Sequence, residues 1–251
     1  MTGSGVGQRA YADAAAALAG RVLDAVRGGG EVDLAGFLDS CADAATGLGA
    51  VRVVGADVFA PHLVLGRPLA VEDQVVVARS LDVFPAVAGA PARERGVAAW
   101  RDWATARLLD LFAGAPVPST PSSADPPTSP EAAALPDVDT VLGPAADWPR
   151  WSVVVAQLSP LAQPTVDGPV APAVAREALA LARGATRAVL RRDHVTAARL
   201  ARWVALLSRR GVEAPLDPWL LTEQLRLNAG AGPRMLLDLA IARHLLGGEP
   251  A

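Results

Sequence analysis

The sequence predicts a mainly α-helical protein: two helical parts joined by a Pro/Ser/Ala-rich linker, the C-terminal part built of stacked antiparallel helical hairpins. Three observations predict it. Apolar residues recur three and four positions apart over most of the chain, the period that puts them on one helix face. β-Branched and aromatic residues gather between Val51 and Leu65, where Gly55, Pro61 and Gly66 leave room for at most a short strand pair. Between Ala113 and Ala146 the composition shifts to Pro, Ser, Thr, Ala and Asp without aromatic residues or periodicity, which predicts a disordered linker. The expected parts are therefore an N-terminal helical domain over 1–112, the linker over 113–146 and a helical-hairpin domain over 147–251.

In chain order, a flexible start over Met1–Gly7 precedes a first helix in which Tyr11, Ala15, Leu18, Val22 and Val26 share a face, ended by Gly28-Gly29-Gly30. Asp33 is placed to cap a short second helix carrying Leu34, Phe37, Leu38 and Cys41. Pro68 opens a helix through Val71, Val75, Ala78 and Leu81 that stops before Pro85. Pro91 introduces a longer one whose packing stripe is Val97, Trp100, Ala104, Leu108 and Leu111. Beyond the linker, Asp147 is expected to cap a helix lined by Trp151, Val154, Val155 and Leu158, and a second Pro-rich connection spans Pro160 to Pro172.

The stretch from Ala173 to Gly211 reads as a helical hairpin. Val174, Ala178, Leu181, Ala185 and Val189 form the packing stripe of its first helix, and Arg176, Arg183, Arg187 and Arg191 follow the same period on the opposite side. After a polar break at Arg192-Asp193-His194, Asp193 caps a second helix in which Leu200, Trp203, Val204 and Leu207 pack while Arg199 and Arg202 lie around the other side; Gly211 ends it. Asp217-Pro218 and Pro233 open two further helices, and the last of these is apolar around almost its whole circumference, the mark of a buried helix. The series of hairpins resembles, in plan alone, tetratricopeptide-type repeats, without that family's spaced Trp, Gly, Tyr and Pro pattern; the likeness implies a concave helical surface suited to an extended peptide.

Charge singles out the hairpin. The chain has a net charge of −3, yet Arg176 to Arg210 holds nine arginines against Glu177 and Asp193, a local +7 that leaves −10 elsewhere. No lysine occurs, which excludes a phosphate-loop lysine, a Schiff-base lysine and a lysine general base. The composition, with about a fifth alanine and arginine in place of lysine, is that of a protein from a GC-rich, bacterial-type genome. Cys41 is the only cysteine, so no intrachain disulfide can form, and with Phe37 and Leu38 beside it Cys41 reads as a small core residue. His62, His194 and His244 stand in distant segments without metal-ligand spacing, and no serine sits in a nucleophile elbow. No cofactor, metal or catalytic residue is expected. An uninterrupted apolar run of membrane-spanning length is missing, so a cytoplasmic compartment is the default expectation.

What remains is a set of seven arginines, Arg176, Arg183, Arg187, Arg191, Arg192, Arg199 and Arg202, as candidate donors to an acidic protein surface or peptide, or to another anion. The expected function is that of a non-enzymatic interaction or adaptor protein. Two other classes stay open: an enzyme on a helical scaffold acting on an anionic small molecule, and a nucleic-acid-associated regulator. The last is disfavoured, because lysine-rich arms are missing and almost no Asn or Gln is present to read bases. Acidic helices of the N-terminal part, bearing Asp39, Asp43, Glu72 and Asp82, are the alternative cover for the arginine stripe.

Overall fold

The structure, a computed structural model, describes residues 3–28, 30–84, 89–113, 135–228, 230 and 232–248, with side chains from residue 9 onward. Its helices in order are α1 (Gly3–Val26), α2 (Leu34–Ser40), α3 (Ala44–Val54), α4 (Ala60–Leu65), α5 (Val71–Val83), α6 (Ala92–Phe112), α7 (Val138–Leu142), α8 (Trp148–Gln157), α9 (Val170–Arg176), α10 (Ala178–Leu190), α11 (His194–Arg209), α12 (Pro218–Asn228) and α13 (Pro233–Leu245). Short 3-10 turns occupy Gly55–Phe59, Ala145–Asp147 and Ser159–Leu161, and the described residues contain no strand.

The local signals for helix ends mostly act as expected. The side chains of Asp33, Asp43, Asp137 and Asp193 accept from the backbone N–H three residues on, satisfying donors that a helix start leaves free. Asp33 does so from a left-handed backbone, φ 47°. A second carboxylate reinforces α2 from outside: Asp73, on α5, accepts from Leu34 N at 2.8 Å and Ala35 N at 3.2 Å. Asp147 is different, since it makes no capping bond to α8 and instead lies 3.4 Å from Arg150.

Four expectations are corrected. The Val51–Leu65 stretch is helical, because Val51, Val54, Val58 and Phe59 are buried in the interior and that burial outweighs their β-propensity. Part of the stretch assigned to the linker over 113–146 is packed instead: Val138, Val141 and Leu142 are buried, α7 packs on α6, and the Trp100 indole donates to Pro136 O at 3.1 Å. Residues 114–134 lie outside the described residues. The first hairpin helix is broken at Glu177 into α9 and α10. Finally, α1 starts at Gly3, within the expected flexible start, of which Met1 and Thr2 are outside the described residues.

Helices from both ends of the chain share one core. α1 packs on α3 and α13, and α11 is enclosed by α8, α10, α12 and α13. Leu18, Val54, Phe59 and Leu108 belong to the same buried cluster as Leu158, Leu181, Trp203 and Ile241. The segment between the two expected parts therefore does not coincide with a break in the core. Among the described residues one stretch, Ala44–Leu65, is long and apolar enough to cross a membrane, but it is 72% buried within the protein, where it serves as core.

Gly55 makes the junction possible. Its φ of 62° and ψ of −137° turn the chain from α3 into the 3-10 turn, a backbone shape costly for residues with a Cβ. A Cβ there would also meet Thr105 Oγ1 at 3.4 Å. The turn delivers Asp57 into the interior, where it is fully buried opposite α11 and α13.

Candidate functional site

The arginines of the hairpin separate into three environments according to what packs around each helix. α11 is surrounded, so its polar side has no solvent to face: Ala197, Ala198 and every residue from Leu200 to Leu207 are buried, Arg202 among them. Burying a guanidinium is tolerable only when it is paired and hydrogen-bonded. Arg202 Nη2 and Nη1 form a fork on Asp57 Oδ1 and Oδ2 at 2.8 and 3.0 Å, and Nη1 also donates to Asp238 Oδ1 at 2.7 Å. Trp203, next in sequence, donates its indole N–H to Val155 O at 2.9 Å and so fixes α11 against α8.

Three more arginines gather on this pair of carboxylates. Arg234, from α13, also donates to Asp57 Oδ2, and its Nε lies 3.6 Å from Asp238 Oδ2. Arg199 Nε is 3.9 Å from the same Asp238 oxygen. Arg101, from α6, donates to Val53 O and adds its charge to the field at Asp57. Burial alone would raise the Asp57 pKa, but the Arg202, Arg234 and Arg101 charges hold the carboxyl down at about 2. Burial pulls the Arg202 guanidinium down, but the Asp57 and Asp238 carboxylates outweigh it and push it upward, so this pair stays ionised.

The second environment is the outer face of α10. Arg183 and Arg191 are exposed, and Arg187 is half-buried with its guanidinium 5.8 Å from the centre of the Trp148 ring. Among the described residues none of these three, nor the exposed Arg192, forms a salt bridge. The acidic residues Asp39, Asp43, Glu72 and Asp82 take part in no ion pair with the stripe. Between the arginines Leu179 and Leu190 are 52% and 79% exposed, and with Trp148, Thr186 and Pro215 they border a shallow depression of about 580 Å³. The inner face of α10 is pinned by Leu181 and Ala185, and Gly184 lies against Ser152 of α8. That docking sets the arginine row in a fixed direction.

The third environment is the solvent-exposed pair. Arg176 donates to Asp139 at 3.0 Å with both side chains exposed, a contact of little energetic weight. Arg192 occupies the turn between α10 and α11 with φ 59°.

The seven candidates are thus not one stripe. Arg183, Arg187 and Arg191 share a face; Arg202 is a core ion, which corrects its expected outward position; Arg199 stands with the core cluster; Arg176 and Arg192 stand apart. Asp57, Asp238, Arg101 and Arg234 were not singled out from the sequence. The signal for the two acids is present, however: Asp57 and Asp238 are lone carboxylates in apolar helical runs, positions that demand a buried cation. The histidines contribute no site. His62 Nδ1 lies 3.2 Å from Arg67 O, and among the described residues no three His, Cys, Asp or Glu side chains assemble as metal ligands. Comparison of the chain with protein-family models, with curated proteins and with solved structures finds no match.

Proposed function

We propose that this chain is a non-catalytic interaction protein that binds an acidic, amphipathic segment of a protein partner along α10. One observation carries the reading: among the described residues Arg183, Arg187 and Arg191 stand in a row without salt-bridge partners beside exposed Leu179 and Leu190. At a rise of about 1.5 Å per residue the three guanidinium-bearing positions are spaced by about 6 Å, the repeat of acidic residues four apart on a partner helix. The leucines and Trp148 supply apolar contact between the charges, and the planar forks favour carboxylates over neutral polar groups. The C-terminal end of α10 carries the negative end of its dipole, which suits the arginines it presents.

The test is calorimetric titration with a synthetic peptide bearing Glu at every fourth position and Leu on the adjoining face. Micromolar binding is expected, weakening about tenfold or more when salt rises from roughly 0.05 to 0.5 M as the charges are screened. The Arg183→Gln, Arg187→Gln, Arg191→Gln triple variant should lose it. Equal binding of the same peptide with Gln for Glu, or by the triple variant, contradicts the proposal.

A further inference from the structure

The buried ion cluster is not balanced. Arg101, Arg199, Arg202 and Arg234 carry four positive charges, whereas Asp57 and Asp238 supply two negative ones, and Asp102 nearby is engaged by Arg52 at 2.6 Å. The surplus shows at Arg101: burial first, then the neighbouring Arg234 and Arg199 charges, push its guanidinium down to about 10. Arg202 lies fully inside, but the other three open onto a cavity of about 320 Å³ between α1, α3, α6, α11 and α13, with Ser159 and Gln157 also at its wall. Ser159 is 1% exposed and its Oγ has no hydrogen-bond partner, and the buried Nε of Arg101 has none either, whereas that of Arg234 faces Asp238 Oδ2 at 3.6 Å. Buried polar atoms left in this state are costly unless something accepts from them. Among the described residues no carboxylate lines the cavity; the remaining wall they form is Ala and Val side chains of α1 and α3 together with Pro160.

We propose that this cavity binds a small phosphomonoester, with the phosphate on Arg101, Arg199, Arg234 and Ser159 and the organic group against the alanines of α1. The match is one of charge and of direction. A phosphomonoester carries about −1.5 to −2 at neutral pH, the amount needed to cancel the surplus. Its oxygens point several ways, as do donors arriving from α6, α11, α13 and the Ser159 turn. A cavity of this volume lies at the small end of the range for organic ligands. The site is separate from the α10 face, so the triple variant there leaves it unchanged.

Thermal shift and calorimetry in a chloride-poor buffer test it, with n-butyl phosphate, inorganic phosphate, succinate and acetate as probes. n-Butyl phosphate is expected to bind one-to-one, with inorganic phosphate weaker, and near a hundredfold excess over its dissociation constant to raise the melting temperature by several degrees. Arg199 has one ion pair among the described residues, at 3.9 Å, so Arg199→Gln should weaken binding at least tenfold while the ligand-free protein melts at the same temperature or higher, because like-charge repulsion is relieved. Arg101→Gln should behave alike in binding. No response to either phosphate, tighter binding of succinate or acetate, or unchanged affinity in Arg199→Gln overturns the proposal. Equal affinity for the two phosphates overturns the role given to the apolar wall.

Discussion

Arg183 and Arg202 carry the same guanidinium into two different media, and the medium decides what each does. Arg202 is fully buried, so its fork on Asp57 and its bond to Asp238 are conditions of folding. Asp57 makes this visible through pH. Its folded value, about 2, lies below its ordinary 3.8, so the folded state binds the proton less readily than the unfolded chain does. Stability from this group is complete above 3.8 and is lost as pH falls through about 2. Chemical denaturation between pH 5 and 2 should show that loss, and in Arg234→Gln, where one charge holding Asp57 down is gone, the loss should be smaller and complete at a higher pH. Coincident profiles for the two proteins would mean that Asp57 does not govern acid stability. At this scale the sequence was least informative: helical period placed Arg202 on a polar side, but no pattern within α11 says that α13 and the Gly55–Phe59 turn cover that side.

At the scale of elements the sequence was most legible. Periodicity and punctuation located α1, α6, the α10–α11 hairpin and α13, since these depend on apolar spacing, Pro, Gly and Asp within a few residues. The helical state of Val51–Leu65 was not legible because tertiary burial determines it, and no Gly or Pro announces the break at Glu177. The direction of α10 rests on a contact of the same kind. A Cβ at Gly184 would come 2.3 Å from Ser152 Cβ, so α10 and α8 pack at a distance only glycine permits. Gly184→Ala gains up to about 1 kcal/mol in helix propensity but incurs an overpacking cost of about 1–3 kcal/mol. The expected net result is a melting temperature lowered by a few degrees, restored by adding Ser152→Gly. A variant as stable as the parent would show that the two helices are not held that closely.

For the whole molecule, one core joins the two ends of the chain, with the carboxylate of Asp57 from the first half neutralising Arg202 and Arg234 from the second. The arrangement explains why the charge surplus read from the sequence overstated the outer surface: part of the +7 between Arg176 and Arg210 is spent inside. The row on α10 is the site proposed for a partner, and the cavity beside the ion cluster is the site proposed for a small ligand. Burial, not position in the hairpin, separates Arg202, a structural ion, from Arg183, Arg187 and Arg191, the row proposed to bind. Thermal unfolding of Arg202→Gln beside the Arg183→Gln, Arg187→Gln, Arg191→Gln triple variant tests that claim most directly. Removing one partner of a buried pair costs about 3–5 kcal/mol, so Arg202→Gln should melt on the order of 10 °C below the parent, while the triple variant stays within a few degrees of it. The reverse order, with Arg202→Gln stable and the triple variant unfolding, would contradict the account.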